Sequence, residues 1–208
     1  MFMDGFVAVT LLRHGLTEKN SRHAYIGWTD DSLSEEGKSS LAAVSLPKPD
    51  ALFTSGMLRT NETAHLLFPG LKKTEILDLK EYHFGSWEGR TYAELKDDRE
   101  YQHWLENMEN HAPPGGESLQ VFKKRVMNGW GKVRNSLLND EADTAAIVSH
   151  GGPLRQLLTL LSGDGRAFWE WTVSPGTGYE LIWTKDSFRR GEPCASLRAV
   201  PSTARLNG

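Results

Sequence analysis

Residues 7–15 read VAVTLLRHG and residues 145–152 read AAIVSHGG. Each is a short run, apolar at nearly every position, that stops abruptly at a His-Gly pair. Such a run lacks the alternation of a half-exposed strand and fits a strand covered on both faces, the habit of parallel sheets flanked by helices. Open α/β sheets bind ligands beyond the carboxyl ends of their strands. The two corners therefore position His14 and His150 to share one pocket.

Working outward, Ser34 stands before Glu35 and Glu36 as an N-cap with acids in the first turn, which predicts a helix to about Ser45, closed by Pro47 and Pro49. Ala51 to Thr54 reads as a second strand. Met57, Leu58, Thr60, Thr63, Ala64 and Leu67 then mark a helix that carries Arg59, and Thr74 to Leu77 reads as a third strand. Leu119, Phe122, Val126, Trp130, Val133 and Leu137 recur every three or four residues, predicting an amphipathic helix over Ser118 to Leu138. After His150, Pro153 suits a first helical position and Leu154, Leu157, Leu158 and Leu161 supply a core face. Tyr179 to Trp183 and Ser196 to Val200 read as final strands, joined by the charged Lys185 to Glu192 in a hairpin-like connection.

This alternation predicts a three-layer α/β/α sandwich with a mostly parallel central sheet, a single domain over residues 1–208. From Tyr82 to Gly116 the pattern is irregular, aromatic and charged, and it ends in Ala112-Pro113-Pro114-Gly115-Gly116, which cannot continue a helix. A lid-like insertion over about residues 82–116 is expected, and a loose tail from Pro201.

Composition narrows the function classes. The net charge of -3 gives no basic surplus for nucleic acid. Cys194 is the only cysteine, which excludes an internal disulfide, and neither CxxC nor HExxH spacing occurs, so no metal or other cofactor is expected. The Phe6 to Leu12 run has no basic n-region, and no segment has the apolar length of a membrane helix, so a cytoplasmic protein without membrane partners is expected. An edge strand would allow a homodimer.

The chemistry-bearing residues suit a dianion. Arg13 at the first strand end and Arg59 on the following helix can converge as two guanidinium forks, and Gly151 and Gly152 leave room at a helix N-terminus for phosphate. An attacking imidazole needs an unprotonated nitrogen, and a departing alkoxide needs a carboxylic acid, for which Glu81 and Glu88 are candidates. The residue types alone choose neither the histidine nor the carboxylate.

The segment Leu12-Arg13-His14-Gly15-Leu16-Thr17-Glu18-Lys19-Asn20, with its RHGxTxxN pattern, resembles the signature of the histidine phosphatase superfamily, in the branch that includes cofactor-dependent phosphoglycerate mutases. Three further blocks follow in order: Ser55 to Ala64, Glu81 to Gly89, and Ser149-His150-Gly151-Gly152. Gly27 to Asp30, Leu33 and Gly37 also match. The resemblance implies a phosphoglycerate mutase-like fold with His14 phosphorylated, Arg13, Arg59 and His150 holding the phosphoryl group, Glu81 as acid and base, and Asn20 completing the phosphate pocket. Gly56 after Ser55 departs from the family pattern.

The Pro113-Pro114-Gly115-Gly116-Glu117-Ser118 segment resembles phosphatase members, including α-ribazole phosphatases and broad-specificity phosphatases. The interval before His150 lacks the longer basic insertion of the mutases. The expected substrate is a small phosphomonoester; the alternatives are a phosphoglycerate mutase and a non-catalytic phospholigand-binding protein. Tyr25, Trp28, Tyr82, Trp87, Tyr101 and Trp104 are candidates for an aromatic leaving-group pocket. His23, His65, His83, His103 and His111 match no catalytic position, and Lys123-Lys124-Arg125 reads as a solvated helix face.

Overall fold

The computed structural model describes residues 5–201; the tail beyond Pro201 lies outside them. A six-stranded sheet has the order β3-β2-β4-β1-β5-β6. β1 (Phe6–Arg13) lies parallel to β4 (Thr144–Ser149), which is parallel to β2 (Ala51–Thr54), and β2 is parallel to β3 (Lys73–Glu75). β5 (Gly178–Thr184) runs antiparallel to β1 and β6 (Ser196–Val200) antiparallel to β5.

Successive side chains of the central strands enter opposite cores. Val7, Val9 and Leu11 of β1 and Ala145 and Ile147 of β4 join one buried cluster, while Leu12, Ala146 and Val148 join another with Leu52, Ala64 and Phe68. This two-sided burial explains why β1 and β4 read as continuous apolar runs. One face is covered by α6 (Leu119–Asn139), α7 (Gly151–Leu161) and α8 (Lys185–Arg190). The other is covered by α3 (Leu58–Leu67), packed on α2 (Glu35–Ala42). Each fully buried Leu, Ile or Val contributes roughly 1.5–3 kcal/mol of transfer free energy, so the sandwich is held from both sides. The three-layer, mostly parallel architecture agrees with the reading of the sequence.

Several boundaries differ. α2 ends at Ala42, where the Val44 amide donates to the Leu41 carbonyl at 2.9 Å, three residues short of Ser45. The third strand is only Lys73–Glu75, and Leu77–Leu79 forms a 3-10 turn instead. The β5–β6 connection holds α8, not a simple hairpin: Thr184 caps it by accepting the Ser187 amide, and Gly191 ends it with φ 73°. Pro153 is the third helical residue after the His150 N-cap, not the first, and its missing N–H is still one that the helix would leave unpaired.

The segment over residues 82–116 contains α4 (Tyr92–Leu95) and α5 (Arg99–Glu106), besides the short α1 (Glu18–Ser21) earlier in the chain. Capping boxes at Thr91/Glu94 and an Asp98 cap start α4 and α5. Tyr82, Trp87, Leu95, Tyr101 and Trp104 from this segment are buried in the larger core cluster, so its aromatic richness builds a wall continuous with the main core. Lys123-Lys124-Arg125 is not a uniformly solvated face. Arg125 turns inward, donates to the carbonyls of Asp78, Lys80 and Glu81 at 2.7, 2.9 and 3.1 Å, and pairs with Glu117.

Candidate active site

The carboxyl ends of β1, β2 and β4 bring the predicted residues together. His14 follows β1 and is pinned by its amide, which donates to Ser149 of β4 at 2.9 Å. Its ring Nδ1 lies 2.7 Å from the Gly15 carbonyl oxygen. A carbonyl can only accept, so Nδ1 carries the proton and Nε2 keeps its lone pair. His14 is 3% exposed and its ring centroid lies 5.1 Å from that of His150.

The tautomer of His150 follows from a hydroxyl chain. Thr60 Oγ1 donates to the Met57 carbonyl at 2.7 Å, so it accepts from Ser55 Oγ, 3.1 Å away. Ser55 Oγ in turn accepts from His150 Nε2 at 2.7 Å, and Nδ1 of the same ring accepts from Arg59 Nε at 3.3 Å. A direct hydrogen bond from His150 to a phosphoryl oxygen therefore requires uptake of a proton at Nδ1. The sequence blocks contained Ser55 and Thr60, but nothing in their spacing disclosed this relay. Gly56 has φ +80°, a conformation that favours glycine, and it turns the chain between β2 and α3 so that Ser55 and Arg59 both face His150.

Arg59 is fully buried and donates from its two Nη groups to the carbonyls of Thr29 and Gly27 at 2.9 and 2.7 Å. It does not pair with Glu62, which accepts the Leu33 amide at 2.7 Å. Arg13 donates from Nη1 to the Val173 carbonyl at 2.8 Å, while its buried Nε has no partner among the described residues, a free donor at the site. Burial lowers the pKa of both guanidiniums below their ordinary values, and Glu81 opposes the shift. Buried cations with an unused donor constitute an anion site.

Glu81 stands at the N-terminus of α7: its carboxylate accepts the Gly152 amide at 3.2 and 3.1 Å and the Tyr82 amide at 2.9 Å. A Cβ on Gly151 would lie 3.7 Å from Glu81 Oε2 and 3.8 Å from Arg13 Nε, so Gly151 sits between the two side chains. Glu88 is taken up elsewhere, accepting the Trp28 amide at 2.7 Å and the Thr29 amide and hydroxyl to hold that loop. Geometry thus selects Glu81 over Glu88. Asn20 closes the capping box of α1, its Oδ1 accepting the amide of the Thr17 N-cap at 3.3 Å, so any donation to an anion falls to its Nδ2.

Beside Glu81 opens a cavity of about 450 Å³ lined by Tyr25, Tyr82, Phe84, Trp104, Phe122 and Trp169, among others. Of the aromatic candidates, Tyr25, Tyr82 and Trp104 line it, whereas Trp87 and Tyr101 are interior packing and Trp28 stacks on His83 at 4.6 Å. Burial raises Tyr82 to about 12, which keeps its phenol neutral. Among the described residues no group of three His, Cys, Asp or Glu side chains is placed to hold a metal ion.

Burial first, then the positive charges of Arg59 and Arg13, push both histidines well below the ordinary 6.5. The unfolded chain then binds more protons than the folded one once pH drops below 6.5. Folding stability is expected to be level above that value and to fall below it, by up to about 1.4 kcal/mol per pH unit for each ring. Urea unfolding between pH 4 and 8 checks this, and a His14→Asn variant should show a shallower acid limb. A profile flat through pH 5 in the parent would contradict buried neutral rings.

Residues 9–191 match the histidine phosphatase superfamily (branch 1). A bifunctional protein of Mycobacterium tuberculosis is 33% identical over 74% of this chain, which spans only 44% of that relative's length. An adenosylcobalamin/α-ribazole phosphatase of Salmonella typhimurium is 30% identical over 80% of the chain and 85% of its own. The crystal structure of a phosphoglycerate mutase from Thermus thermophilus aligns with a TM-score of 0.67 and 29% identity, covering 92% of this chain and 98% of that one. The fold is accordingly phosphoglycerate mutase-like, and with an imidazole lone pair set among two buried arginines and a second histidine at the sheet's carboxyl edge, the chain belongs to the histidine phosphatase superfamily.

Proposed function

We propose that the protein is a metal-independent phosphatase that hydrolyses a small phosphomonoester through a phosphohistidine on His14, with α-ribazole phosphate or a broad set of esters as substrates. The observation that carries this reading is the Nδ1 bond to Gly15, which leaves Nε2 of a buried, neutral imidazole free to attack. In the first step the Nε2 lone pair forms the N–P bond, the ester P–O bond breaks, and the leaving oxygen takes a proton from the Glu81 carboxyl. In the second, water attacks phosphorus, Glu81 takes back a proton, and the N–P pair returns to His14. Arg13, Arg59, Asn20 and the Gly151 amide hold the equatorial oxygens through both steps, joined by His150 once the bound dianion supplies the charge for it to take up a proton at Nδ1 in place of the Arg59 bond.

The apolar, aromatic cavity beside Glu81 favours hydrolysis of an apolar alcohol's ester over phosphoglycerate isomerisation, whose substrate is small and highly charged. No described helix is long and apolar enough to cross a membrane, and a cytoplasmic location and a homodimer remain part of this proposal.

The test is phosphate release from a panel including α-ribazole phosphate and 3-phosphoglycerate, with chelator present. Release would support the phosphatase. Isomerisation of 3-phosphoglycerate on adding bisphosphoglycerate, without release, would make it a mutase; silence in both would favour a binding protein.

The acid has its own signature. Glu81→Gln should lower kcat on alkyl phosphates by about 10²–10³-fold and on p-nitrophenyl phosphate by under about tenfold, because nitrophenolate leaves without a proton. Gly152→Ala should reproduce that pattern, since its Cβ would fall 2.2 Å from Glu81 Oε1 and displace the carboxylate. Equal losses on both esters would remove Glu81 from the acid role.

A further inference from the structure

The cavity beside Glu81 is not uniformly apolar. Among its lining residues Arg155 is the one cation and Glu81 the one acid. Arg155 lies on α7 one turn beyond Gly151, on the same helix face as the phosphate-side glycines. Its Nε donates to the Trp171 carbonyl at 3.0 Å, and its guanidinium sits 5.9 Å from the Trp169 ring centroid.

Arg125, a neighbour below Glu81, is neutralised by Glu117 and by three carbonyls. Arg155 has one carbonyl partner and no ion pair among the described residues, though it is partly buried in an aromatic wall. A partly desolvated guanidinium without a counter-charge is disfavoured until an anion reaches it, and a planar fork is matched to a carboxylate. The phosphoryl group has its own donors in Arg13, Arg59 and the α7 N-terminus, so Arg155 is left for a different part of the ligand.

The rim supplies the apolar complement. Trp169 is 64% exposed and meets Phe168 edge-on at 4.7 Å, while Leu105 at the mouth is 43% exposed. Tyr82, Phe84, Trp104 and Phe122 line the same cavity. A ring or branched chain entering there would be walled by aromatic side chains, with the Arg155 guanidinium in the same lining beside Trp169.

We propose that Arg155 is the specificity-determining residue of the leaving-group subsite, and that among the phosphomonoesters the site accepts it favours the monophosphate of an aromatic or apolar alcohol that carries a carboxylate in addition to its phosphate. This rests on the phosphomonoesterase reading for the location of the leaving group. The aromatic walls take the body of the alcohol, and the Arg155 fork takes the carboxylate. Cationic alcohols are rejected by the same charge.

The test separates binding from turnover. The full chain carrying His14→Ala is titrated, by calorimetry, with 4-(carboxymethyl)phenyl phosphate and with its methyl ester, which differ in the carboxylate alone. The carboxylate form is expected to bind about tenfold tighter, a difference of about 1.4 kcal/mol. Adding Arg155→Met should bring the two affinities within about twofold by weakening the carboxylate form only, and Arg155→Lys should keep part of the preference.

Equal weakening of both ligands by Arg155→Met would overturn the proposal, placing Arg155 on the phosphoryl group or in the wall. So would no preference in the His14→Ala background, or no binding of either ester. Turnover of the same pair by the unaltered chain is read separately. Selective binding without hydrolysis would sink the phosphatase reading while leaving the role of Arg155 intact.

Discussion

His14→Asn is expected to reduce phosphate release on the order of a millionfold, the scale seen when a covalent nucleophile is removed. His14 Nδ1 is committed to the Gly15 carbonyl at 2.7 Å, its amide to Ser149, and the Gly15 amide to Thr63 Oγ1 at 3.0 Å, so the ring has no freedom to exchange its nitrogens. The other imidazole cannot substitute, because His150 is tied at Nε2 to Ser55 and at Nδ1 to Arg59. Rapid acid-free quenching with labelled substrate should trap an acid-labile, alkali-stable phosphoprotein in the parent and none in the variant. Label on His150, or a variant within a hundredfold of the parent, would be incompatible with the assignment.

Because burial keeps His14 neutral, protonation of this proposed nucleophile should not shape the rate near neutral pH. Any acid limb above pH 6 would belong to another group, with the substrate's second phosphate proton as the natural candidate.

Arg59→Met should damage both activity and stability. In the folded chain Arg59 satisfies the Gly27 and Thr29 carbonyls and His150 Nδ1 while contributing the buried charge of the proposed phosphoryl site. Methionine fills a similar volume but leaves those acceptors without donors, at about 1–3 kcal/mol for each that water cannot reach. A loss of roughly 2–4 kcal/mol in urea unfolding is expected, with kcat/KM down by about 10³-fold or more. Arg59→Lys should recover part of the stability and little of the rate, since one ammonium cannot span three acceptors and an anion. Inorganic phosphate affinity unchanged in the methionine variant would remove Arg59 from the phosphate site.

How legible this was in the sequence depended on the range of the interaction. β1 and β4 were readable because burial on both faces leaves no room for polar residues, and α6 because its buried positions keep helical spacing for five turns. Short elements were less so. β3 is three exposed residues long and α8 is six residues held by a cap at Thr184 and Gly191, and local pattern in such pieces is weaker than the pairing and capping that decide them. The segment over residues 82–116 read as irregular because its aromatic residues serve a wall whose other half comes from α6 and residues 168–171, far away in the chain.

The sequence alone determined the layered α/β class, the strand ends that carry chemistry and, through ordered motif blocks, His14, Arg13, Arg59, Glu81 and His150 as the candidates, because each depends on residue type and near-neighbour spacing. Only the tertiary structure decided which nitrogen of each histidine holds its proton, that Glu88 braces a loop while Glu81 faces the site, that Arg125 is neutralised and that Arg155 is not. Those outcomes rest on partners up to 95 residues apart, as for Ser55 and His150. Hydrogen-bond direction and charge balance are properties of the assembled pocket, which exists only when the carboxyl ends of β1, β2 and β4 have been brought side by side.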